Sequence, residues 1–341
     1  MILVTGASGQ IGSDLVVALQ REHGSQQVLA SGRHLPRKAV LTPYIVLNVM
    51  NRKQLKLVVK AYGVDTIYHL AGVLSATGEQ QPMLCWQVNI EGLKNVLEIA
   101  AENPIKVFWP SSIAVFGHHT PKLRTPQTTI EDPATMYGIT KSTGEMLCQY
   151  YSQRFGVDVR SLRFPGIISH LSAPGGGTTD YAVEIFHAAL KSGHYTSFLA
   201  PNTRLPMMYM PDAIRAIEEL MGADADRLTV RSSYNLSAVS FSVAELVAEI
   251  QKYLPHFTCD YAPDYRQAIA DSWPTVIDDT QARKDWGWQH HYDLSAIVKD
   301  MLCHLQSRQS EEVTPSCLQA LPTNRRLTTF NNLDCTSLNA S

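Results

Sequence analysis

The feature that most constrains the fold is a set of three glycines close to the N-terminus. Gly6, Gly9 and Gly12 separate an apolar run at residues 2–5 from an amphipathic helical segment. The helical period is carried by Ile11, Leu15, Val16 and Leu19. Glycines at such a turn let the backbone approach a diphosphate at the N-terminus of the helix. This order of strand, glycine turn and helix therefore predicts a dinucleotide-binding site.

The pattern beyond the glycines indicates the wider architecture. Short apolar runs alternate with helix-period segments up to about residue 165, as in repeated βαβ units. We therefore predict an α/β protein with a Rossmann-type, doubly wound parallel sheet in residues 1–165, to which later segments return. Residues 166–306 are predicted to form mainly a smaller C-terminal substrate-binding lobe. Residues 307–341, rich in Ser, Thr and Asn, are predicted to form a disordered tail.

Composition excludes several classes of protein. With 29 Lys and Arg against 31 Asp and Glu, the chain has no excess positive charge to hold a nucleic acid or an anionic membrane surface. The six cysteines are scattered, without the spacing of a zinc or redox motif, so we expect reduced thiols and no metal site. The first residues leave no room for a targeting segment, and a cytoplasmic location is expected.

The end of the second apolar run bears on cofactor choice. It reads Ala-Ser-Gly-Arg-His over residues 30–34. Dinucleotide folds usually carry an acidic residue there, which accepts hydrogen bonds from ribose hydroxyls. This chain has Gly32 instead, and Arg33 is either a partner for a 2′-phosphate or a solvated loop charge. The residues thus leave NAD and NADP open.

A second constellation points to proton transfer. Tyr137 and Lys141 are one helical turn apart, so they share a face of a helix predicted over 137–155. A nearby ammonium stabilises a phenolate, so we expect the pKa of Tyr137 to be lowered and the tyrosine to act as general base. Ser112 follows an apolar strand and would face the crevice and orient the reacting oxygen. Alternatively, Ser111 and Ser112 only end the strand.

The order of these motifs resembles the extended short-chain dehydrogenase/reductase family, which includes nucleotide-sugar epimerases. It comprises the glycine triplet, Ser-Ser-x-x-Val-Phe-Gly at 111–117 and Tyr-x-x-x-Lys at 137–141, with Leu70-Ala71-Gly72 and Asn89 between them. Longer segments are similar to the short-chain L-threonine 3-dehydrogenases. They are residues 174–185, 205–216, 272–274, 278–279 and 285–288. Two departures are Gly32, where that group has aspartate, and the extension beyond about residue 305.

The resemblance implies a reaction and a set of roles. It implies oxidation of L-threonine at its 3-hydroxyl to 2-amino-3-oxobutanoate, in threonine catabolism, with hydride transfer to NAD. Tyr137 would be the base, Lys141 would also hold the nicotinamide ribose, and Ser112 would polarise the substrate. It further implies a homodimer formed through the helices at 84–101 and 137–155.

The expected ligand contacts fall into two sets. Cofactor contacts are expected at Gly6, Ser8, Gly9, Gln10, Ile11, Gly12, Arg33, Asn48, Val49, Leu70, Ala71, Gly72, Asn89, Tyr137, Lys141 and Pro165. Threonine contacts are expected at Ser75, Ser111, Ser112, Tyr137, Thr178, Thr179 and Trp273. Hydroxyls can both accept from the substrate ammonium and donate to its carboxylate. Alternatively, the two threonines end a glycine loop and the tryptophan is a core aromatic.

A nucleotide-sugar 4-epimerase or dehydratase is the main alternative, because it shares the glycines, serine, tyrosine and lysine. Such an enzyme must bind a second diphosphate, normally through basic side chains of the smaller lobe. Between Arg163 and Arg204 the only Lys or Arg is Lys191, which disfavours this alternative. A protein that only senses the dinucleotide would not need an intact Ser112, Tyr137 and Lys141.

Overall fold

A computed structural model describes residues 1–36, 42–172, 174–175 and 177–313, with residues 309–313 as backbone. Its strands are β1 (Ile2–Thr5), β2 (Val28–Gly32), β3 (Tyr44–Val46), β4 (Thr66–His69), β5 (Lys106–Ser112), β6 (Val159–Phe164), β7 (Gly166–Ile168), β8 (His194–Ser197), β9 (Arg204–Tyr209), β10 (Tyr234–Asn235), β11 (Val239–Ser242) and β12 (Thr258–Tyr261). Its α-helices are α1 (Gln10–His23), α2 (Arg52–Tyr62), α3 (Ser75–Gln80), α4 (Pro82–Trp86), α5 (Gly92–Glu102), α6 (Met136–Phe155), α7 (Tyr181–Ser192), α8 (Met210–Gly222), α9 (Val243–Gln251), α10 (Arg266–Ser272), α11 (Thr280–Trp286) and α12 (Leu294–Val313).

The central sheet has seven strands in the order β3-β2-β1-β4-β5-β6-β10. All of its neighbouring pairs are parallel. This is the doubly wound Rossmann arrangement, in which the chain reverses direction of growth between β1 and β4. The predicted fold class is confirmed, and a late segment, β10, pairs with β6 at the sheet's edge.

Both faces of the sheet are covered by helices. Successive side chains of a strand point to opposite faces, so Val4 packs with α1 and α8 while Leu3 packs with α2, α5 and α6. The strands are therefore buried on both faces, as is typical of parallel sheets. The helix expected over 84–101 consists of α4, a π-helical turn at Gln87–Glu91, and α5.

The remaining strands lie in two small sheets, β11-β9-β7 and β12-β8. Together with α7, α9 and α12 they enclose a separate apolar cluster that includes Phe186, Phe241, Leu246 and Met301. This lobe supplies the second wall of the cleft described below. No helix of the described ranges is long and apolar enough to cross a membrane.

The C-terminal boundary differs from the expectation. Residues 307–341 were expected to form a disordered tail, but α12 continues to Val313, so the first part of that segment is helical. The physical reason is that Arg308, Glu311 and Glu312 extend a helix that is already formed, and propagation costs far less than nucleation. The rest of the predicted tail, residues 314–341, lies outside the described residues.

Candidate active site

A cleft of about 620 Å³ opens at the carboxyl ends of the central strands. The turn after β1 and the segments after β4 and β5 form one wall, and residues of the smaller lobe form the other. This is where parallel α/β sheets bind ligands, because the connections diverge on either side of the point at which strand order reverses.

The glycine turn has the geometry that the sequence predicts. Gly6 has φ +69°, and a Cβ there would lie 2.7 Å from the Ala71 backbone nitrogen. A Cβ on Gly12 would lie 2.3 Å from the Gly6 carbonyl oxygen, so the helix packs against the turn only with glycine there. Gly9 caps α1 without a side-chain hydrogen bond. The helix N-terminus thus presents backbone N–H groups to the cleft, which fits a diphosphate.

Asn89 shapes the opposite side of that cradle. Its side-chain oxygen accepts a 2.7 Å hydrogen bond from the Val73 N–H, and its nitrogen donates to the Val73 carbonyl and to Thr140 Oγ1. The π-helical turn carries Asn89, a common device for placing a side chain at a functional site. Asn89 therefore holds the segment after β4 and ties it to α6.

The Ser112, Tyr137 and Lys141 side chains converge in the cleft. Helix α6 begins next to the segment after Ser112, since a Cβ on Gly138 would lie only 2.2 Å from the Ala114 carbonyl. The close approach allows a hydrogen bond between the Tyr137 and Ser112 side chains. Lys141 Nζ lies 5.4 Å from the centre of the Tyr137 ring. The three groups form one arrangement capable of taking and holding a proton.

The expectation that the pKa of Tyr137 is lowered is wrong for the protein without ligand. Burial raises its pKa to about 12, and the Ser112 hydrogen bond opposes that shift only in part. Burial also lowers the pKa of Lys141 to about 8. The ammonium donates a 2.5 Å hydrogen bond to the Pro110 carbonyl and lies over the Trp109 ring. Desolvation is thus the largest cause of both shifts.

A buried ionic network lies beneath the site and was missed by sequence reasoning. Ser111 donates a 2.5 Å hydrogen bond to Glu145, whose carboxylate is paired with Arg163 at 2.6 Å. Arg163 also contacts Glu131, which in turn accepts from Ser142. Arg163 and Glu145 are almost completely buried. Ser111 lines the cleft, but its hydroxyl proton is committed to this network, so it supports the strand end that carries Ser112.

His69 is a second residue that sequence reasoning missed. It ends β4 beside the cleft, and its Nδ1 is 2.9 Å from Thr5 Oγ1. Its Nε2 is buried without a hydrogen-bond partner among the described residues. Burial lowers the pKa of His69 to about 3, and the Lys141 charge acts in the same direction. The ring is thus neutral and packs beneath the cofactor side of the cleft. A lone histidine in an apolar strand gave no signal of this.

The side chains that are expected to contact threonine all line the cleft. Ser75, Ser112, Thr178, Thr179 and Trp273 are all part of its lining, together with Ser111. Asp180 accepts hydrogen bonds from backbone N–H groups of the glycine loop, at Gly175 and Gly177. Trp273 lines the cleft and is also part of the apolar core of the smaller lobe. Its contact with threonine stays a prediction.

The structure places most, but not all, of the expected cofactor residues in the lining of the cleft. The lining contains Gly6, Ser8, Gly9, Gln10, Ile11, Gly12, Leu70, Ala71, Gly72, Asn89, Tyr137, Lys141 and Pro165. Arg33, Asn48 and Val49 lie outside it, beyond the ends of β2 and β3. The Asn48 side chain accepts from the Met50 N–H, and Val49 is buried. Direct contact of all sixteen residues with a cofactor stays a prediction.

One group among the described residues has metal-ligating atoms close together. These atoms, on His170, Asp300 and His304, lie within 4.8 Å of one another. The two imidazole rings, however, are stacked 4.1 Å apart with an interplanar angle of 7°. Imidazole lone pairs lie in the ring plane, so parallel stacked rings do not direct both lone pairs at one ion. Tyr209 occupies the group instead, donating to Asp300 and contacting His170 Nδ1.

The fold and the site together have the architecture of a nucleotide-binding oxidoreductase. Comparison with known proteins agrees with this class. The model of the NAD dependent epimerase/dehydratase family matches residues 2–237. The chain belongs to this family. An uncharacterised epimerase/dehydratase of Staphylococcus haemolyticus is 49% identical over 315 residues, which cover 91% of this chain and 99% of that protein.

Solved structures show which members of the family this chain resembles in fold and sequence. A GalE-like L-threonine dehydrogenase from Cupriavidus necator in its holo form is 51% identical, with a TM-score of 0.88, covering 89% of this chain and 99% of that one. A monomeric L-threonine 3-dehydrogenase from a metagenome, in its apo form, is 48% identical with a TM-score of 0.87, covering 90% and 99%. The resemblance to short-chain threonine dehydrogenases is thereby confirmed.

Proposed function

We propose that the protein is an NAD-dependent L-threonine 3-dehydrogenase of the short-chain type. The observation that carries the proposal is the convergence of Ser112, Tyr137 and Lys141 in a cleft whose other wall bears hydroxyl side chains. The reaction oxidises the 3-hydroxyl of threonine to the ketone of 2-amino-3-oxobutanoate. The substrate loses a proton from the hydroxyl oxygen and a hydride from the carbon that bears this oxygen.

The chain's own residues provide the proton chemistry. Tyr137 accepts the proton of the substrate hydroxyl, and Ser112 donates a hydrogen bond to that oxygen as it becomes a carbonyl. The Ser112 Oγ accepts from the Ala114 N–H at 3.2 Å, and its hydroxyl proton is directed to the Tyr137 oxygen, so a substrate oxygen that enters between the two side chains can receive it. When bound, an oxidised nicotinamide would supply the hydride acceptor. Lys141 holds a ribose hydroxyl and adds its own charge.

The substrate zwitterion needs partners of both kinds. Thr178 and Thr179 can accept from its ammonium, and Ser75 at the start of α3 can donate to its carboxylate. Trp273 forms an apolar wall against the methyl group. These hydroxyls fit a small amino acid better than a second diphosphate, which calls for arginine and lysine.

The assay that tests the proposal is the absorbance of reduced nicotinamide, with purified protein, NAD and L-threonine. We expect reduction that depends on threonine and is absent with D-threonine. Turnover of a UDP-sugar without turnover of threonine would contradict the proposal and establish a nucleotide-sugar epimerase or dehydratase.

We also propose a homodimer through α4, α5 and α6. The supporting observation is the exposure of large apolar side chains on α4 and α6, among them Met83, Ile139, Met146 and Tyr150. Met146 and Tyr150 are one helical turn apart and so share a face. Light scattering is expected to give the dimer mass. A stable monomer would contradict this proposal and would match the monomeric metagenome neighbour.

A further inference from the structure

At the end of β2, the Tyr44 side chain occupies the space that a side chain in place of Gly32 would need. Tyr44 begins β3, and its ring extends along the neighbouring strand to Gly32. A Cβ on Gly32 would lie 2.4 Å from the phenol oxygen of Tyr44, and 3.6 Å from the ring carbon that bears it. The place where related folds carry an acidic side chain is therefore filled by the Tyr44 hydroxyl.

The hydroxyl is held between the two segments that contact the adenosine half of a dinucleotide. It donates a 2.9 Å hydrogen bond to the His34 carbonyl, just beyond β2. Its second partner is the Ser8 side chain in the glycine turn. A phenol oxygen can accept two hydrogen bonds. Because Ser8 takes one of these positions, the other is free to accept from a ribose hydroxyl.

The charge at this place differs from that of an acidic residue. Partial burial raises the pKa of Tyr44 above its usual value, against the opposing Ser8 hydrogen bond, so the phenol is neutral at physiological pH. Arg33 is exposed beside it and makes no ion pair or hydrogen bond with any described residue. A carboxylate would repel a 2′-phosphate, whereas a neutral phenol next to an arginine does not.

We propose that Tyr44 determines cofactor specificity by replacing the acidic residue with a neutral hydrogen-bond acceptor, so that the protein accepts NADP as well as NAD. Tyr44 contacts the ribose hydroxyl of NAD, and Arg33 contacts the 2′-phosphate of NADP. This inference rests on the proposed function only in requiring that the glycine turn binds a dinucleotide.

Calorimetric titration tests it without any turnover. The ligands are NAD, NADP, and the fragments 5′-AMP and 2′,5′-ADP, which differ only in the 2′-phosphate. For the wild-type protein we expect dissociation constants for NAD and NADP within about tenfold of each other. Tyr44→Phe is expected to weaken NAD binding about threefold to tenfold. Arg33→Gln is expected to weaken NADP and 2′,5′-ADP by about tenfold, with NAD and 5′-AMP unchanged.

Because the Tyr44 hydroxyl fills the space next to Gly32, these two positions provide a matched pair of variants. With the hydroxyl removed, the nearest remaining ring atom is 3.6 Å from a Cβ on Gly32, an ordinary contact. Gly32→Asp should therefore fit without displacing residue 44 in the Tyr44→Phe background, whereas in the wild type the Tyr44 hydroxyl must shift to admit it. In the Tyr44→Phe background it restores a carboxylate, and we expect NADP binding to weaken at least a hundredfold relative to NAD. Gly32→Ala should lower the melting temperature in the wild type and not in the Tyr44→Phe background.

Two results would overturn the inference. One is a wild-type preference of more than about a hundredfold for either cofactor. The other is unchanged NAD and NADP binding in Tyr44→Phe. Failure is also separable from that of the proposed function. Cofactor binding as described without threonine oxidation contradicts only the reaction, whereas threonine oxidation with strict NAD specificity contradicts only the role of Tyr44.

Discussion

The two ends of the cleft differ in how firmly the fold holds them. At the catalytic end, Ser112 ends a strand supported by Glu145 and Arg163, and Tyr137 lies in the first turn of a helix packed against the backbone after that serine. At the adenosine end, Arg33 is exposed and Tyr44 is held by two hydrogen bonds at the sheet's margin. The catalytic end agrees with the family pattern, and the adenosine end departs from it at Gly32.

The difference has a physical cause. A residue in a buried ionic network cannot change alone, because its partner is left as an uncompensated charge in a dry environment. A residue at the margin of the sheet can change when one neighbour changes with it. Substitutions are therefore expected to be tolerated less at the densely packed catalytic end than at the open edge where Gly32 and Tyr44 meet.

The largest effect is expected at the catalytic end. Tyr137→Phe removes the proton acceptor and keeps the ring, so we expect kcat to fall about 10²- to 10⁴-fold. Tyr265→Phe, on an exposed tyrosine of the smaller lobe, is the control and should keep full activity. Retention of more than a tenth of the activity in Tyr137→Phe would mean that another group takes the proton.

The next effect concerns the network below Ser112. Glu145→Gln leaves Arg163 buried with one partner fewer, and we expect the free energy of unfolding in urea to fall by about 3 kcal/mol. The control is Glu245→Gln, which removes an exposed pair with Arg204 and keeps a capping-box side chain on α9. The control should cost less than about 1 kcal/mol. Equal costs would show that the catalytic end is no better supported than the surface.

A pH-dependent effect is expected from His69. Its pKa is about 3 when folded, below the ordinary histidine value, so the unfolded chain binds more protons at mildly acid pH. Its contribution to stability is therefore present above the ordinary value and is lost as the pH falls toward 3, by about 1.4 kcal/mol per pH unit. Chemical unfolding of His69→Gln between neutral and acid pH should show a shallower loss than the wild type. His256→Gln, on an exposed residue, should match the wild type.

The smallest effect is expected at the adenosine end. Arg33→Gln and Tyr44→Phe alter cofactor binding, but the first should change the free energy of unfolding by less than about 0.5 kcal/mol. The second should cost no more than about one hydrogen bond, near 1 kcal/mol. Thermal unfolding of both variants provides the measurement. A cost comparable to that of Glu145→Gln would remove the contrast between the two ends.

Local patterns predicted much of the fold and site. These are patterns of residues that are neighbours along the chain: the glycine triplet, the apolar runs and the spacing of Tyr137 and Lys141. They predicted the parallel sheet and the cluster of candidate catalytic residues. One strand boundary was less well predicted, since Ser112 was expected to follow the strand and is instead the last residue of β5. The continuation of α12 past residue 307 was missed, because composition rather than helix propagation had suggested a tail.

The sequence by itself determined the parallel sheet, the glycine turn and the spacing of the candidate proton-transfer residues, because each is a short-range pattern. Only the tertiary structure decided the protonation tendencies and the partners of these residues. The pKa of Tyr137 depends on how dry its surroundings are, and Glu145, Arg163 and Tyr44 acquire their roles through contacts between distant segments. Desolvation and close packing depend on all atoms near a group, and no spacing along one chain contains that information.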